Sequence, residues 1–261
     1  MVMTFRWLTD LHLDHAHPNE VAALHDSLRG DRGVPVVLTG DISTARRLVA
    51  DLEQIADAAG APVYHVLGNH DHYGSSVAAV RDLVIDLARR RPEIAWLPPA
   101  GVVTLDDATV LVGVDGWADG RHGDPLRTPL VLNDDRLIEE LASQPTRVLR
   151  LAVRRALADA DAARLAVLLD RAIATAPQRI VIATHVPPFL EVLAPGSRIA
   201  GPDWHPLLVC GAVGAVLTTF AAAHPAIQFE VLAGHSHAAA DVAMALNLRV
   251  RVGGVDLVVS R

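Results

Sequence analysis

Eight residues between positions 10 and 237 carry side chains well suited to metal chemistry. They fall into five groups, and each group directly follows an apolar run. The groups are Asp10 with His12, Asp41, Asn69 with His70, His185, and His235 with His237. Oxygen and imidazole ligands without thiolate favour Mn, Fe, Zn, Co or Ni over a soft-metal or iron–sulfur site. The donors are numerous enough for two ions if one carboxylate is shared between them.

The apolar runs before these groups have the composition of buried strands. They are rich in β-branched and aliphatic residues, and most of them close on glycine or a turn residue. They cover residues 5–9, 34–39, 63–67, 180–184 and 231–233. Residues 19–28, 44–59 and 76–90 have a helical pattern, with Thr44 and Ser75 or Ser76 as N-cap candidates. Parallel strands joined by crossover helices bring their carboxyl ends to one sheet edge, so the eight residues are predicted to converge.

A second set of elements is predicted in the rest of the chain. Residues 102–105 and 109–114 form strands, and a helical stretch from 134 to about 176 is broken near Gln144-Pro145 and again at 159–161. Three closing strands are predicted, with a Gly-Gly turn before the last; they cover residues 241–245, 248–252 and 255–259. Two glycine- and proline-containing loops, residues 115–129 and 187–206, are predicted to form walls over the site.

Composition limits the classes of protein that this sequence can encode. A chain of 261 residues with 51% hydrophobic residues can bury one large core, so residues 1–261 are predicted to form a single domain. The net charge of −7 argues against a duplex nucleic acid partner, since such binding relies on cationic side chains. The lone Cys210 cannot form an intrachain disulfide. No signal-peptide pattern and no membrane-spanning apolar run is recognised, so a cytoplasmic protein without a membrane partner is expected.

The chemistry predicted for two adjacent ions is hydrolysis of a phosphoester. Two ions roughly 3.5–4 Å apart lower the pKa of a bound water, hold a tetrahedral ester and balance charge on the attacking and leaving oxygens. His70 directly follows Asn69, so an amide that binds metal would leave His70 facing the substrate. There an imidazolium could protonate the leaving alkoxide. Asp71 could orient His70 or hold the turn.

The complete set of motifs resembles that of the calcineurin-like metallophosphoesterase superfamily, over nearly the whole chain. The matching segments are Asp10-Leu11-His12, Gly40-Asp41, Gly68-Asn69-His70-Asp71, Thr184-His185 and Gly234-His235-Ser236-His237. The resemblance implies an α/β fold, a four-layer α-β-β-α sandwich of two mixed sheets flanked by helices, with the metal site at the strand C-termini. It also implies the ligand sets: Asp10, His12 and His237 for one ion, Asn69, His185 and His235 for the other, with Asp41 bridging and His70 catalytic.

One departure from the family pattern is visible after the second motif. Many members carry a further acidic residue there, whereas here Gly40-Asp41 is followed by Ile42-Ser43-Thr44. The departure leaves every predicted metal ligand in place. It weakens a comparison with those subgroups that use the extra acid.

The function expected from the residues and the resemblance together is that of a dinuclear phosphoesterase. It would use two divalent or mixed-valence transition metal ions to hydrolyse a small soluble phosphate ester, with metal-bound hydroxide as nucleophile. A phosphodiester is favoured, because diesterases are common among members with this motif spelling. The alternatives are a phosphomonoesterase or phosphoprotein phosphatase, and a catalytically silent, metal-loaded protein that binds a phosphorylated ligand. A nuclease is disfavoured by the acidic composition, while the metal, the physiological substrate and the oligomeric state are left open.

Overall fold

Two β-sheets carry the five strands that precede the candidate ligands. The computed structural model describes residues 5–193, 199 and 201–254. The strands are β1 (Arg6–Leu8), β2 (Val36–Thr39), β3 (Val63–Val66), β4 (Ile94–Trp96), β5 (Val103–Asp106), β6 (Thr109–Gly113), β7 (Arg179–Ala183), β8 (Gln228–Ala233), β9 (Ala240–Ala245) and β10 (Leu248–Val252). The helices are α1 (Pro18–Gly30), α2 (Leu48–Ala59), α3 (Val77–Arg90), α4 (Leu97–Ala100), α5 (Asp134–Leu137), α6 (Glu139–Ala142), α7 (Arg147–Ile173), α8 (His205–Leu208) and α9 (Gly211–Ala223).

The first sheet has the order β1-β2-β3-β4, and each neighbouring pair is parallel. Helices α1, α2 and α3 connect its strands, so the predicted β-α-β-α-β start of the chain is confirmed. Strand β4 was not predicted, since three residues are too few to show a strand period in the sequence. Parallel pairing places the carboxyl ends of β1, β2 and β3 at one edge.

The second sheet has the order β5-β6-β7-β8-β10-β9 and mixed pairing. Strands β6, β7, β8 and β10 run parallel to one another, while β5 and β9 pair antiparallel at the two edges. The carboxyl ends of β7 and β8 therefore lie together. The predicted strands at residues 102–105, 109–114, 241–245 and 248–252 are confirmed, and residues 255–259 lie outside the described part of the chain.

The core consists of three layers of apolar side chains, which lie between the four layers of helices and sheets. Between the sheets, Val37 and Val66 of the first sheet pack with Leu111, Val181 and Leu232 of the second. The outer face of the first sheet packs on α1, α2 and α3, and that of the second sheet packs on α7 and α9. Alternate residues of a strand point to opposite faces, which lets each sheet serve two cores. The four-layer α-β-β-α sandwich is confirmed, with one difference in detail: the described strands of the first sheet are all parallel.

Of three predicted details of the helices, one was wrong and two are confirmed. Helix α2 begins at Leu48, and its N-cap is Arg47 without a side-chain hydrogen bond, so the assignment of Thr44 as N-cap was wrong. Ser76 does cap α3, where its hydroxyl accepts a hydrogen bond from the Ala79 amide at 3.1 Å. The chain breaks before α7 as predicted, because Thr146 caps that helix.

The second predicted break, at residues 159–161, was wrong, because α7 continues through it. Asp161 is buried and accepts a hydrogen bond from the Gly116 amide at 2.9 Å. A polar residue that looked like an interruption is thus a partner for the loop after β6. Within the described residues, every helix is too short or too polar to cross a lipid bilayer.

Candidate metal centre

The candidate ligands follow the carboxyl ends of five parallel strands that belong to both sheets. Strands β1, β2 and β3 end at Leu8, Thr39 and Val66, and strands β7 and β8 end at Ala183 and Ala233. The residues that come after these ends, in chain order, are Asp10, His12, Asp41, Asn69, His70, His185, His235 and His237. The predicted convergence of these side chains is observed in the structure.

A first group consists of Asp10, His12, Asp41 and His237. Each contributes one oxygen or ring nitrogen, and these atoms lie within 4.8 Å of one another. The Nε2 atoms of His12 and His237 are 3.1 Å apart, and Nε2 of His237 is 3.3 Å from a carboxylate oxygen of Asp10. Two carboxylates and two imidazoles therefore face one small volume.

A second group consists of Asp41, His185 and His235, whose donor atoms also lie within 4.8 Å of one another. Nε2 of His185 is 3.3 Å from Oδ1 of Asp41 and 3.1 Å from Oδ1 of Asn69. The amide oxygen of Asn69 thus joins this second group. Asp41 is common to both groups, which is the geometry that a bridging carboxylate requires.

The proton positions on two histidines follow from their backbone partners. Nδ1 of His185 lies 2.8 Å from the carbonyl oxygen of Thr39, and Nε2 of His235 lies 2.9 Å from that of Leu207. A carbonyl oxygen only accepts hydrogen bonds, so each of these ring nitrogens donates its proton. The opposite nitrogen of each ring is left for a ligand, an arrangement usual for metal-binding histidines.

The donor set of the second group fits a cation. Burial alone would raise the pKa of Asp41, yet His185, His70 and His12 hold it well below its usual range. Burial would likewise lower the pKa of His185, but Asp41 raises it to about 10. Burial and the neighbouring His185 lower the pKa of His235 to about 4. The point where His185, Asn69 and Asp41 meet therefore favours positive charge, as a proton or as a metal ion.

Five of the candidate ligands share a left-handed backbone conformation that is rare among the other described residues. Six non-glycine residues in the described ranges have a positive φ, and five of them belong to the two groups; the sixth is Ala176. The five are Asp10 at 51°, His12 at 44°, Asp41 at 51°, His235 at 65° and His237 at 54°. Left-handed backbone costs a residue with a Cβ about 1–2 kcal/mol, and such strain is concentrated at functional sites.

His70 lies beside the two groups and belongs to neither. Its backbone amide donates to Oδ1 of Asp41 at 2.8 Å, and its Nε2 is 4.0 Å from Oδ2 of the same residue. Its ring meets the rings of His12 and Tyr73, with centroids 4.5 and 4.3 Å away. A quarter of the side chain is exposed, so an imidazole nitrogen can reach a molecule bound at the centre.

Asp71 holds the turn, one of the two roles expected for it. Its Oδ1 accepts hydrogen bonds from the amides of Ile42 and Ser43, both at 2.9 Å, and its Oδ2 accepts one from Gly68 at 2.8 Å. The carboxylate thereby ties the loop that carries Asp41 to the loop that carries Asn69.

Asp115 is a residue of the site region that sequence reasoning missed. It is buried directly beyond β6, where Oδ1 accepts hydrogen bonds from the Leu67 amide and the Trp96 indole, both at 2.9 Å. Its Oδ2 pairs with Arg81 at 3.0 Å, and its carbonyl accepts from the His185 amide at 2.7 Å. A carboxylate immediately after a strand, as in Asp10 and Asp41, was the available signal.

The two predicted wall loops contact each other through their described residues. Thr128 donates a hydrogen bond to the Asp203 carbonyl at 2.8 Å. Asp119 accepts hydrogen bonds from the guanidinium of Arg121 at 2.8 Å and from the amide of Ala212 at 2.9 Å. Of residues 187–206, positions 194–198 and 200 lie outside the described part. The loop 115–129 is thus fastened to the start of α9.

Comparisons with known proteins identify the family and agree with the fold. The family model of calcineurin-like phosphoesterases matches residues 3–239. A dimetal phosphatase from Danio rerio superposes with a TM-score of 0.63 at 16% identity, covering 97% of this chain and 88% of the other. The phosphopantetheinyl hydrolase of Mycobacterium tuberculosis superposes with a TM-score of 0.64 at 17% identity, covering 97% and 90%. No curated protein sequence matches the chain.

Proposed function

The chain belongs to the calcineurin-like phosphoesterase family, and on that premise we propose that it hydrolyses a small phosphate ester at a dinuclear metal centre. The observation that carries the proposal is the position of Asp41 in both ligand groups, with His70 beside it. The single domain over residues 1–261 and the cytoplasmic location stay predictions.

The proposed ligands follow the two groups. Asp10, His12 and His237 would hold the first ion, while Asn69, His185 and His235 would hold the second. Asp41 would serve both. Oxygen and imidazole donors suit Mn, Fe, Zn, Co or Ni. When bound, the two ions supply Lewis acidity and a hydroxide nucleophile at neutral pH.

His70 is proposed as the general acid. The ring stands at the rim of the first group, a quarter exposed, and is not used by either ligand group. From there an imidazolium can protonate the leaving alkoxide or stabilise charge on the phosphoryl oxygens. Packing between His12 and Tyr73 restricts the ring, which favours a fixed direction of proton transfer.

The two proposed ion sites differ in exposure, and this supports a direction of substrate entry. The side chain of His237 is 46% exposed, whereas that of His185 is completely buried. A phosphate ester would approach from the His237 side, with the buried His185 beneath it. Because the described residues leave His237 exposed and a second alcohol group would need such an opening, we propose a phosphodiester as the preferred substrate.

A paired assay tests the proposal. Protein stripped of metal is reloaded separately with Mn, Zn, Ni or Fe and given p-nitrophenyl phosphate or bis-p-nitrophenyl phosphate. We expect hydrolysis to return with metal and to favour the diester. His70→Ala should lower kcat by about 10²–10⁴-fold, the usual contribution of general acid catalysis, while two ions stay bound.

The matched control is His15→Ala, because His15 lies near the first motif with 74% of its side chain exposed. This variant should keep the wild-type rate. Two bound ions without hydrolysis of either ester, whichever metal is used, would instead favour the metal-loaded binding protein. Preference for the monoester would favour a phosphomonoesterase.

A further inference from the structure

The amide of Asn69 is held from both sides. Its Oδ1 faces Nε2 of His185 at 3.1 Å, whereas its Nδ2 donates to Oδ1 of Asp134 at 2.8 Å and to the hydroxyl of Tyr73 at 3.2 Å. An ionised carboxylate can only accept hydrogen bonds, so it selects the NH₂ side of the amide. The oxygen is thereby turned toward His185 and the proposed second ion.

Asp134 is itself fixed in place. It is buried at the start of the short helix α5, in the segment between β6 and β7 that contains none of the five motifs. The Tyr73 hydroxyl donates to its Oδ1 at 2.7 Å, and Arg154 of α7 lies 3.7 Å from its Oδ2. The guanidinium of Arg154 also donates a hydrogen bond to Oδ1 of Asp135 at 2.7 Å. The guanidinium of Arg154 thus lies on the side of the Asp134 carboxylate that does not face Asn69.

Tyr73 connects this arrangement to His70. Its ring is tilted by 30° to the His70 ring, with 4.3 Å between centroids, while its hydroxyl reaches Asp134. One side chain therefore contacts both the carboxylate that orients Asn69 and the proposed general acid. The burial of Tyr73, which is 8% exposed, leaves little freedom for another rotamer.

We infer that Asp134 and Tyr73 are positioning residues of the metal centre: Asp134 directs the oxygen of Asn69 to the second ion, and Tyr73 fixes Asp134 and the ring of His70. The inference rests on the proposed function, since it assigns the second ion to Asn69. Neither residue belongs to a ligand group, and neither is proposed to contact the phosphate ester. Their effect is on metal affinity at the second site and on the orientation of His70.

Metal binding is the readout that tests the inference. We expect Asp134→Ala to remove the acceptor of the Asn69 NH₂ group, so that the Asn69 amide is free to turn and withdraw its oxygen. Partner residues of metal ligands typically change affinity by about 10–100-fold when removed. Titration of the metal-free protein with Mn²⁺ should therefore show a second ion bound about 10–100-fold more weakly, with the first ion unchanged.

The matched control is Asp135→Ala. Asp135 is adjacent, pairs with the same Arg154 and also with Arg150, and has no contact with Asn69 among the described residues. The Asp135→Ala variant should bind both ions as the wild type does. Tyr73→Phe keeps the ring against His70 and removes the donor to Asp134, so a weakening of about 3–10-fold at the second site is expected.

Several results would overturn the inference. One is a folded Asp134→Ala protein that binds two ions with wild-type affinities, and another is equal weakening in Asp135→Ala. If Asp134→Ala does not fold, unchanged Mn²⁺ affinity of Tyr73→Phe would overturn it. A wild-type protein that binds two ions without hydrolysing any ester would contradict the proposed function and leave this test in force, since affinity is measured without turnover.

Discussion

At the scale of single residues, the centre depends on backbone positions where a side chain has little room. A Cβ added to Gly68 would overlap the Asp41 carboxylate and lie 2.8 Å from Cε1 of His185. A Cβ on Gly234 would overlap the Asp10 carboxylate. The glycines that precede Asn69 and His235 therefore allow the ligand loops to approach one another closely. Their place in the motifs has a steric cause.

Substitution of Gly68 tests this cause. In Gly68→Ala the new methyl group must displace Asp41 or His185, so both ions should bind at least about 10-fold more weakly. The control Gly30→Ala makes the same change at the end of α1, where nothing lies within 4 Å of the added Cβ. Calorimetric titration with Mn²⁺ checks both variants, and wild-type affinity in Gly68→Ala would refute the steric explanation.

The shared carboxylate makes a second prediction at this scale. Asp41→Ala removes a donor from both groups and should leave less than about one ion per chain, whereas His237→Ala should retain about one, at the second site. Elemental analysis of gel-filtered protein gives the stoichiometry. Two tightly bound ions in Asp41→Ala would show that the groups do not share a ligand.

At the scale of elements, the two sheets must keep a fixed position relative to each other, because each contributes candidate ligands. Asp115 does this at the ends of β3, β4 and β6, where it joins the Leu67 amide, the Trp96 indole and Arg81. Asp71 makes the corresponding connection between the loops after β2 and β3. Buried carboxylates that accept hydrogen bonds from backbone amides thus set the spacing of the candidate ligands.

Removal of the Asp115 carboxylate should be costly. Asp115→Ala leaves the buried Leu67 amide and Trp96 indole without their acceptor, and leaves Arg81 paired, among the described residues, with Asp161 alone at 3.5 Å. Removing one partner of a buried pair typically costs about 3–5 kcal/mol of unfolding free energy. Asp86→Ala is the control, because the Asp86–Arg89 pair is exposed and should contribute less than about 1 kcal/mol. Urea unfolding measures both. A loss in Asp115→Ala no larger than in Asp86→Ala would contradict this role.

The strands and the convergence of the ligand loops were predictable from the sequence, since apolar runs that end in polar side chains have a strong local signature. Strand β4 was not predictable, because three residues are too few to show a strand period. The continuity of α7 through Asp161 was not predictable either, because the Gly116 amide that binds Asp161 is distant in sequence. Asp134 had no signal at all. An acidic residue at a helix start is common for reasons of the helix dipole alone.

At the scale of the whole molecule, burial of neutral histidine makes stability depend on pH. His65 of β3 is completely buried, and neither ring nitrogen has a hydrogen-bond partner among the described residues. Burial lowers its pKa from 6.5 to about 4. Between these values the unfolded chain binds a proton that the folded protein does not, so stability falls as the pH is lowered through this range.

The size of this effect can be tested by substitution. From the two pKa values, His65 should reduce the unfolding free energy by about 2 kcal/mol between about pH 8 and about pH 5. His65→Leu should remove that part of the pH dependence, whereas His15→Leu, at an exposed position, should not. Urea unfolding at both pH values provides the measurement. If His65→Leu lost as much unfolding free energy on acidification as the wild type does, the buried neutral state of His65 would be contradicted.

The central claim is that hydrolysis of a phosphate ester requires two ions held at the meeting point of both sheets. The most direct measurement is the rate of bis-p-nitrophenyl phosphate hydrolysis as the metal-free protein is titrated with Mn²⁺, with the bound ions counted in the same samples. We predict no hydrolysis above background without metal and a rate that rises as the second ion binds. Undiminished hydrolysis by the metal-free protein would contradict the account.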